Sequence, residues 1–396
     1  MKDKTIVSGV GCCLVDLLYN NVDFSSQEIR SFMSLTNGDG GLSPGKLVLL
    51  EDFERFSQMP LDDFMNSILH GREVDKLNIG GPSIVSLIHA AQISDLHNCE
   101  VRFYGKAGKD IHGKYLKENL GKTPVVLKEY RLIDYRTPST IVLSDPGYDK
   151  GHGERMFINA IGAAWEMQAE DLDEDFFQSD IVVFGGTAIV PGIHDKLTSL
   201  TRKAKDHGCI TIINTVYDFR NEKLRPGQPW PLGETEETYG NTDILITDKE
   251  EALRLSGRES MEAALEYFID RKTKTAIITN GSENIHVFSD GSVFEARGKF
   301  LFPVSEQVRS ELRRGHTGDT TGCGDNFAGG LIGSIVHQLN SGMSQLDLKD
   351  ALSWAVVSGG FACFNLGGTY FEEKHGEKLE KIKPYYESYK RQISDV

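Results

Sequence analysis

Short apolar runs separated by helical patterns constrain this chain more than any other feature. Ile181-Val-Val-Phe184, Ile210-Thr-Ile-Ile213, Ile244-Leu-Ile246 and Ala276-Ile-Ile278 lack the polar alternation of a strand with one wet face, so they read as buried strands. Helical stretches such as 193–207 and 249–255 lie between them. Strands alternating with helices predict βαβ units and a mostly parallel sheet. The length, 396 residues, is ample for such a core and suits one large α/β domain or two. A first buried strand is expected over residues 5–10, before the glycines and Asp16 that break its apolar run.

Two regions leave this rhythm. Residues 20–77 are polar and rich in Gly, Ser and Asp. Residues 134–160 hold Val142-Leu-Ser-Asp-Pro-Gly147 and Gly151-His-Gly153, the marks of a hairpin. We read both as parts of a smaller, discontinuous, β-rich cap over the main sheet.

Charge and cysteine usage exclude several classes of function. Lys and Arg total 43 against 58 Asp and Glu, a net charge of -15. Such a surface repels phosphate backbones and anionic lipid, so neither nucleic acid nor membrane is the expected partner. The six cysteines form no C-x-x-C and no Cys/His spacing for zinc, which suggests reduced thiols in a cytoplasmic protein. His89, His112 and His316 have no companions at metal-ligand spacing, and Trp165, Trp230 and Trp354 read as packing residues.

The chemistry concentrates in Asp319-Thr-Thr-Gly-Cys-Gly-Asp-Asn-Phe-Ala-Gly-Gly330. Phe327, Leu331, Ile335 and Leu339 recur every four residues, one apolar helix face. Gly322 and Gly324 therefore fall at a helix N-terminus, where unpaired N–H groups and the helix dipole favour an anion. A carboxylate there, Asp325, can take a proton from a hydroxyl that attacks a nucleotide γ-phosphate; phosphoryl transfer needs little beyond such positioning and charge stabilisation. As a lone turn the same residues would be a capped helix, and it is the full stretch that favours chemistry. No G-x-x-x-x-G-K-[ST] occurs, and Gly9-Val-Gly11 lacks the third glycine of a dinucleotide loop.

This stretch resembles the D-T-x-G-A-G-D signature of the ribokinase-like, or PfkB, carbohydrate kinases, with Cys323 in place of alanine. Ordered motifs extend the resemblance over most of the chain. Gly9-Val-Gly-Cys-Cys-Leu-Val-Asp16 is similar to the family's first strand and substrate-binding aspartate, and Asn78-Ile-Gly-Gly-Pro-Ser83 to its di-glycine motif. Tyr104-Gly-Lys-Ala-Gly-Lys-Asp-Ile-His-Gly113 resembles the family's G-x-x-G-x-D-x-x-G segment. Thr247-Asp-Lys-Glu-Glu-Ala252 resembles N-x-x-E, and Thr279-Asn-Gly-Ser282 a turn that contacts ATP.

The resemblance implies a three-layer α/β/α sandwich, one kinase domain over 1–396, with a small discontinuous β-sheet lid from parts of 17–77 and 132–160. It implies an ATP-dependent kinase acting on a hydroxyl of a sugar or sugar-like molecule. Asp325 would be the base, with the amides of Gly322, Cys323 and Gly324 as the anion hole. Asp16, Gly80 and Gly81 would bind the substrate with Asp325. Thr279, Gly281, Thr320, Thr321, Gly322 and Gly324 would bind ATP. Glu251 and Asp248 would hold Mg²⁺ through water, and Asp319 with Gly367-Gly-Thr369 a monovalent cation such as K⁺. Relatives often pair through the lid, so a homodimer is a further expectation.

Departures bear on the substrate. Val85 or Ile84 stands where the family's sugar-binding asparagine falls, and Gly185-Gly186 where ribose-specific members carry glutamate; both speak against ribose. The segment 155–164, opening on Arg155, is similar to a lid-to-core passage of nucleoside and fructose kinases, and Asp218-Phe-Arg220 to an N-x-R segment. A nucleoside kinase is therefore the alternative, and a non-catalytic ligand-binding relative a second. Cys323 reads first as a small residue filling the place of alanine; because a thiol at a helix N-terminus can have a lowered pKa, a further hypothesis is that its oxidation or alkylation blocks ATP binding.

Overall fold

The computed structural model describes residues 4–394 apart from 37, 152, 316, 317 and 319. Along the chain run β1 (Thr5–Gly11), β2 (Leu14–Tyr19), β3 (Leu47–Leu49), β4 (Lys76–Gly80), β5 (Cys99–Gly108), β6 (Val126–Ile133), β7 (Ser139–Asp145), β8 (Glu154–Ala160), β9 (Ile181–Gly185), β10 (Ile210–Asn214), β11 (Ile244–Asp248), β12 (Thr275–Thr279), β13 (Ile285–Ser289) and β14 (Gly298–Phe302). Nine of them form the main sheet, in the order β14-β13-β12-β11-β10-β9-β1-β5-β6. Pairing is parallel from β6 through to β12; only β12–β13 and β13–β14 are antiparallel.

The four apolar runs explain the layers. Val183, Ile212, Ile244, Ile246 and Ile277 enter one core, with helices Pro82–Ile93, Cys323–Asn340, Leu348–Ala362 and Glu377–Gln392. Their neighbours Val182, Phe184, Ile213, Leu245, Ala276 and Ile278 enter the other, with helices Leu197–Asp206, Lys249–Ser256 and Met261–Asp270. Side chains alternate across a strand, so a run apolar at every position demands helices on both faces. Truncating one of these fully buried isoleucines to alanine would cost about 2–5 kcal/mol. The winding reverses between β1 and β9, whose ends meet at Gly11 and Gly185. In an open α/β sheet the crevice at such a reversal is where ligands bind.

A second sheet, ordered β3-β8-β7-β2-β4, stands over that crevice. Its strands also alternate. Ile141, Leu143, Met156 and Ile158 face outward into a third core, while Thr140, Val142, Phe157 and Asn159 face the crevice.

Two sequence expectations need correction. Residues 20–77 are more helical than β-rich: they contain helices Gln27–Arg30, Leu50–Ser57 and Leu61–Leu69 and contribute only β3 and most of β4's approach to the small sheet. The cause is helical spacing of Leu50 with Phe53, and of Leu61, Phe64 and Ile68, around an aromatic cluster in which Phe64 meets Phe53 and Phe32 at 4.6 and 4.9 Å. The first strand falls where expected, over Thr5–Gly11, and beyond it Cys12 and Cys13 lead into β2 of the small sheet, which carries Asp16. Finally, helix Cys323–Asn340 is buried on nearly all sides rather than one. Gly329, Gly330 and Gly333 let it lie against Ser86, Trp354 and Ile93, where a Cβ would come within 2.6 Å of the neighbouring helices. Trp230 is buried and Trp354 stacks on Tyr386, but Trp165 is 39% exposed.

Candidate active site

Gly322 caps the helix Cys323–Asn340 with φ 72°, a left-handed conformation glycine tolerates best. A side chain there would also strike Gly368 Cα at 2.5 Å, so two backbone segments touch at this turn. The Asn326 amide, one turn into the helix, donates to the carbonyls of Gly322 (2.8 Å) and Gly368 (2.9 Å). Asp325, in the first turn, opens onto a cavity of about 180 Å³. The small sheet contributes Asp16, Gly80, Thr140, Val142, Phe157 and Asn159 to its walls; the core contributes Gly81, Val85, Phe219, Thr321, Gly322 and Gly368.

The electrostatics single out Asp325. It is half-buried, lines the cavity, and its desolvation pushes it up to about 6, with the Asn214 side chain pulling it partly back. Asp16 is 5% exposed, and Gly80 has no side chain because a Cβ would sit 2.2 Å from the Asp16 carboxylate. The di-glycine pair thus makes room for Asp16 and, at Gly81, for the Cys12 carbonyl. Across the cavity Asn159 donates to Thr140 Oγ1 at 2.8 Å.

Arg155 ties the small sheet to the glycine-rich turn. From β8 its guanidinium donates to the hydroxyls of Thr320 (2.6 Å) and Thr321. Two donors from one planar group fix the approach of the strand as well as its distance.

A second, more open cavity of about 400 Å³ lies beyond, lined by Asp248, Glu250, Thr279 and Gly281 among others. Asp248 and Glu251 form a reciprocal cap on helix Lys249–Ser256: Glu251 N–H donates to Asp248 at 2.8 Å, and Asp248 N–H to Glu251 at 3.3 Å. Glu251 is buried and its carboxyl is pushed up to about 8, mainly by desolvation and then by Asp248, with Asp325 adding repulsion. The Thr215 hydroxyl donates to it. Consecutive residues at the end of β10, Asn214 and Thr215, therefore serve the two acids in turn.

Of the residues expected to act together, Asp16, Gly80, Gly81, Thr321, Gly322 and Asp325 line one cavity, and Asp248, Thr279 and Gly281 the other. Cys323 begins the helix between them, with Gly324 and Thr320 exposed beside it and Glu251 buried beneath. Asp319 lies outside the described residues. Among the described residues, no three or more His, Cys, Asp or Glu side chains could hold a metal ion together, and no helix is long and apolar enough to cross a membrane. Sequence reasoning missed Asn214 and Thr140 as site residues, and noted Arg155, Phe157 and Asn159 only as parts of the segment 155–164. Phe219 was noted only as the middle residue of the Asp218-Phe-Arg220 match.

A mostly parallel sheet with a glycine turn, a helix N-terminus and an enclosed acid is an arrangement suited to phosphoryl transfer. A model of the pfkB family carbohydrate kinases matches residues 75–375, and the chain belongs to that family. It is a phosphotransferase with an alcohol group as acceptor, and kinases of this family use ATP, typically with Mg²⁺. Among solved structures it is similar to adenosine kinase from Schistosoma mansoni in complex with 2-fluoroadenosine (16% identity, 92% of this chain, 97% of that chain, TM-score 0.68). Adenosine kinase from Sinorhizobium meliloti matches at 20% identity over 96% of this chain and 99% of that chain, TM-score 0.67. Ribokinase from Thermotoga maritima matches at 18% identity over 96% and 99%, TM-score 0.62. These likenesses establish the ribokinase-like fold.

Proposed function

We propose that this chain transfers the γ-phosphoryl group of ATP to a hydroxyl of a sugar or sugar-like molecule held between Asp325 and the small sheet, which acts as a lid. The observation that carries this reading is the Asp325 carboxyl, facing an enclosed cavity from a helix N-terminus with its pKa raised to about 6. A base with a pKa near the working pH combines an ionised population with a useful affinity for the proton. Asp325 takes the hydroxyl proton, the oxygen attacks the γ-phosphorus, and the bond to the leaving ADP oxygen breaks. The backbone amides from Gly322 to Gly324 hold the transferring group, and Asp16 orients the acceptor. The donor set fits Mg²⁺: Glu251 and Asp248 place two carboxyls at the nucleotide side, their ionised forms disfavoured by burial until a cation offsets it, and this ion commonly takes only one or two protein carboxylates, keeping waters and phosphate oxygens. When bound there it would neutralise phosphate charge.

A nucleoside acceptor is the second reading, favoured by the cavity's lining. Leu47, Val142, Phe157, Val216 and Phe219 give one part of it an apolar character that a free sugar leaves unused and a base can fill. Adenosine kinases among the structural neighbours agree with this.

The test is ADP release from MgATP against a panel of sugars and nucleosides. Turnover with either class supports the kinase, and their ratio of kcat/KM chooses between the readings. Calorimetric binding of panel members with no ADP release from any would instead favour a non-catalytic relative.

A further inference from the structure

We propose that Lys378 is a positioning residue for phosphoryl transfer: through Asn326 it fixes the carbonyls of Gly322 and Gly368, and with them the shape of the anion hole. This rests on the reading of Gly322–Gly324 as the phosphoryl site.

Lys378 is the second residue of helix Glu377–Gln392 and is 2% exposed. Burying an ammonium costs several kcal/mol unless it is well compensated. Here its hydrogen-bonding partners are two amides: Nζ donates to Asn326 Oδ1 at 2.9 Å and to Gln92 Oε1 at 3.1 Å. Burial pushes Lys378 down to about 7, but an ammonium has three N–H donors and a neutral amine two, so in either form Nζ can donate to both amide oxygens turned toward it. Their NH₂ groups then have only one way to point. Gln92 donates to the Tyr370 carbonyl at 2.7 Å, and Asn326 to the carbonyls of Gly322 and Gly368. One buried amine thereby sets the sense of two amides. Those amides hold the 368–370 segment against the glycine turn, where Gly322 and Gly368 are already in backbone contact and both line the Asp325 cavity. Without the lysine, Asn326 can present its oxygen to two carbonyl oxygens, which repels both. Misplacing a reacting group by about 1 Å costs on the order of 10²-fold in rate.

A lysine that merely joined three helices would affect stability and nothing else, and the experiment separates the two roles. Lys378→Met keeps the aliphatic stem without the charge, Asn326→Ala breaks the link one residue on, and Lys378→Arg restores a buried donor. Binding of MgADP is measured with and without aluminium fluoride, which mimics the transferring phosphoryl group and needs no knowledge of the acceptor. The expected result is MgADP affinity within about threefold of wild type in all variants. In Lys378→Met and Asn326→Ala the tightening by aluminium fluoride should fall at least about tenfold, a modest part of the loss that misplacement by about 1 Å allows. Lys378→Arg should recover part of it, and the double variant should be no worse than Asn326→Ala, since both act on one link. If Lys378→Met does not fold, Asn326→Ala and Lys378→Arg carry the same test. A lowered Tm with undiminished aluminium fluoride tightening in the folded variants overturns the proposal alone. Failure of the wild-type protein to bind MgADP with aluminium fluoride overturns the phosphoryl-site reading, and this inference with it.

Discussion

Replacing Asn214 by alanine should raise the pH below which turnover fails. Asn214 ends β10, is 6% exposed, and lowers the pKa that burial has raised at Asp325 to about 6. A hydrogen bond to a charged acceptor is worth about 1.5–3 kcal/mol. At about 1.36 kcal/mol per pKa unit, with water recovering roughly half, its loss moves Asp325 up by about one unit, toward 7. The sign follows from the base being active when ionised: activity is lost as pH falls through the folded-state pKa, so a higher pKa moves the acid limb to higher pH. Near pH 6.5 the ionised fraction would drop from about three quarters to about one quarter, a roughly threefold loss, while above about pH 8.5 the two proteins would converge. The assay is kcat/KM against pH, wild type beside variant, with an acceptor found in the substrate screen. Titration of the nucleotide is common to both and cancels. An acid limb that stays in place, or moves to lower pH, would refute both the role of Asn214 and the identity of Asp325 as the titrating base.

Asp325→Asn should keep MgATP binding, measured by calorimetry, and lose about 10²–10⁴-fold in turnover, the usual share of a general base. It should also melt higher than wild type near pH 8 but not near pH 4: a raised carboxyl pKa burdens the fold only above its unfolded value of 3.8, fully so above about 6. Arg155→Ala should lower kcat at least about tenfold by freeing the lid from Thr320 and Thr321, and Arg155→Lys should not restore it, because a point charge cannot reproduce the two-pronged contact. Cys323 and Cys363 stand with sulfurs 3.2 Å apart beside the glycine turn. Hydrogen peroxide should oxidise the two thiols to a disulfide, itself reduced to two waters, and closing to about 2.05 Å would drag the Cys323 amide out of line. Activity should fall and return with dithiothreitol, and Cys363→Ser should resist this reversible loss; equal sensitivity in that variant would refute the pairing.

The layers of the main sheet were legible because a run such as Ile244-Leu-Ile246 is apolar on both faces and leaves no other solution. The glycine turn was legible because Gly322 and Asp325 are adjacent in sequence as well as in space. What escaped was assembled across the chain. Nothing local marks Asn214 as a partner of Asp325, because β10 and the signature helix meet only through the sheet. Arg155 reaches Thr321 across 166 positions, and Lys378 reaches Asn326 across 52. The helices within 20–77 were hidden by composition: their polar faces dominate the count, while a few well-spaced residues such as Phe53 and Phe64 do the folding. Cys363 carried no motif, so its closeness to Cys323 was invisible.

Those helices have a consequence for assembly. They lie on the outward face of the small sheet, burying Ile141, Leu143, Met156 and Ile158 together with Phe53 and Phe64. A bare sheet with that face exposed would need a second chain to cover it, and such cover comes and goes with protein concentration. Here the cover is tethered in the same chain, at an effective concentration set by the linker rather than by expression level. The expectation of pairing through the lid loses its physical motive on that face. A lid that carries its own cover can hold its shape, and its grip on the substrate, in a dilute molecule.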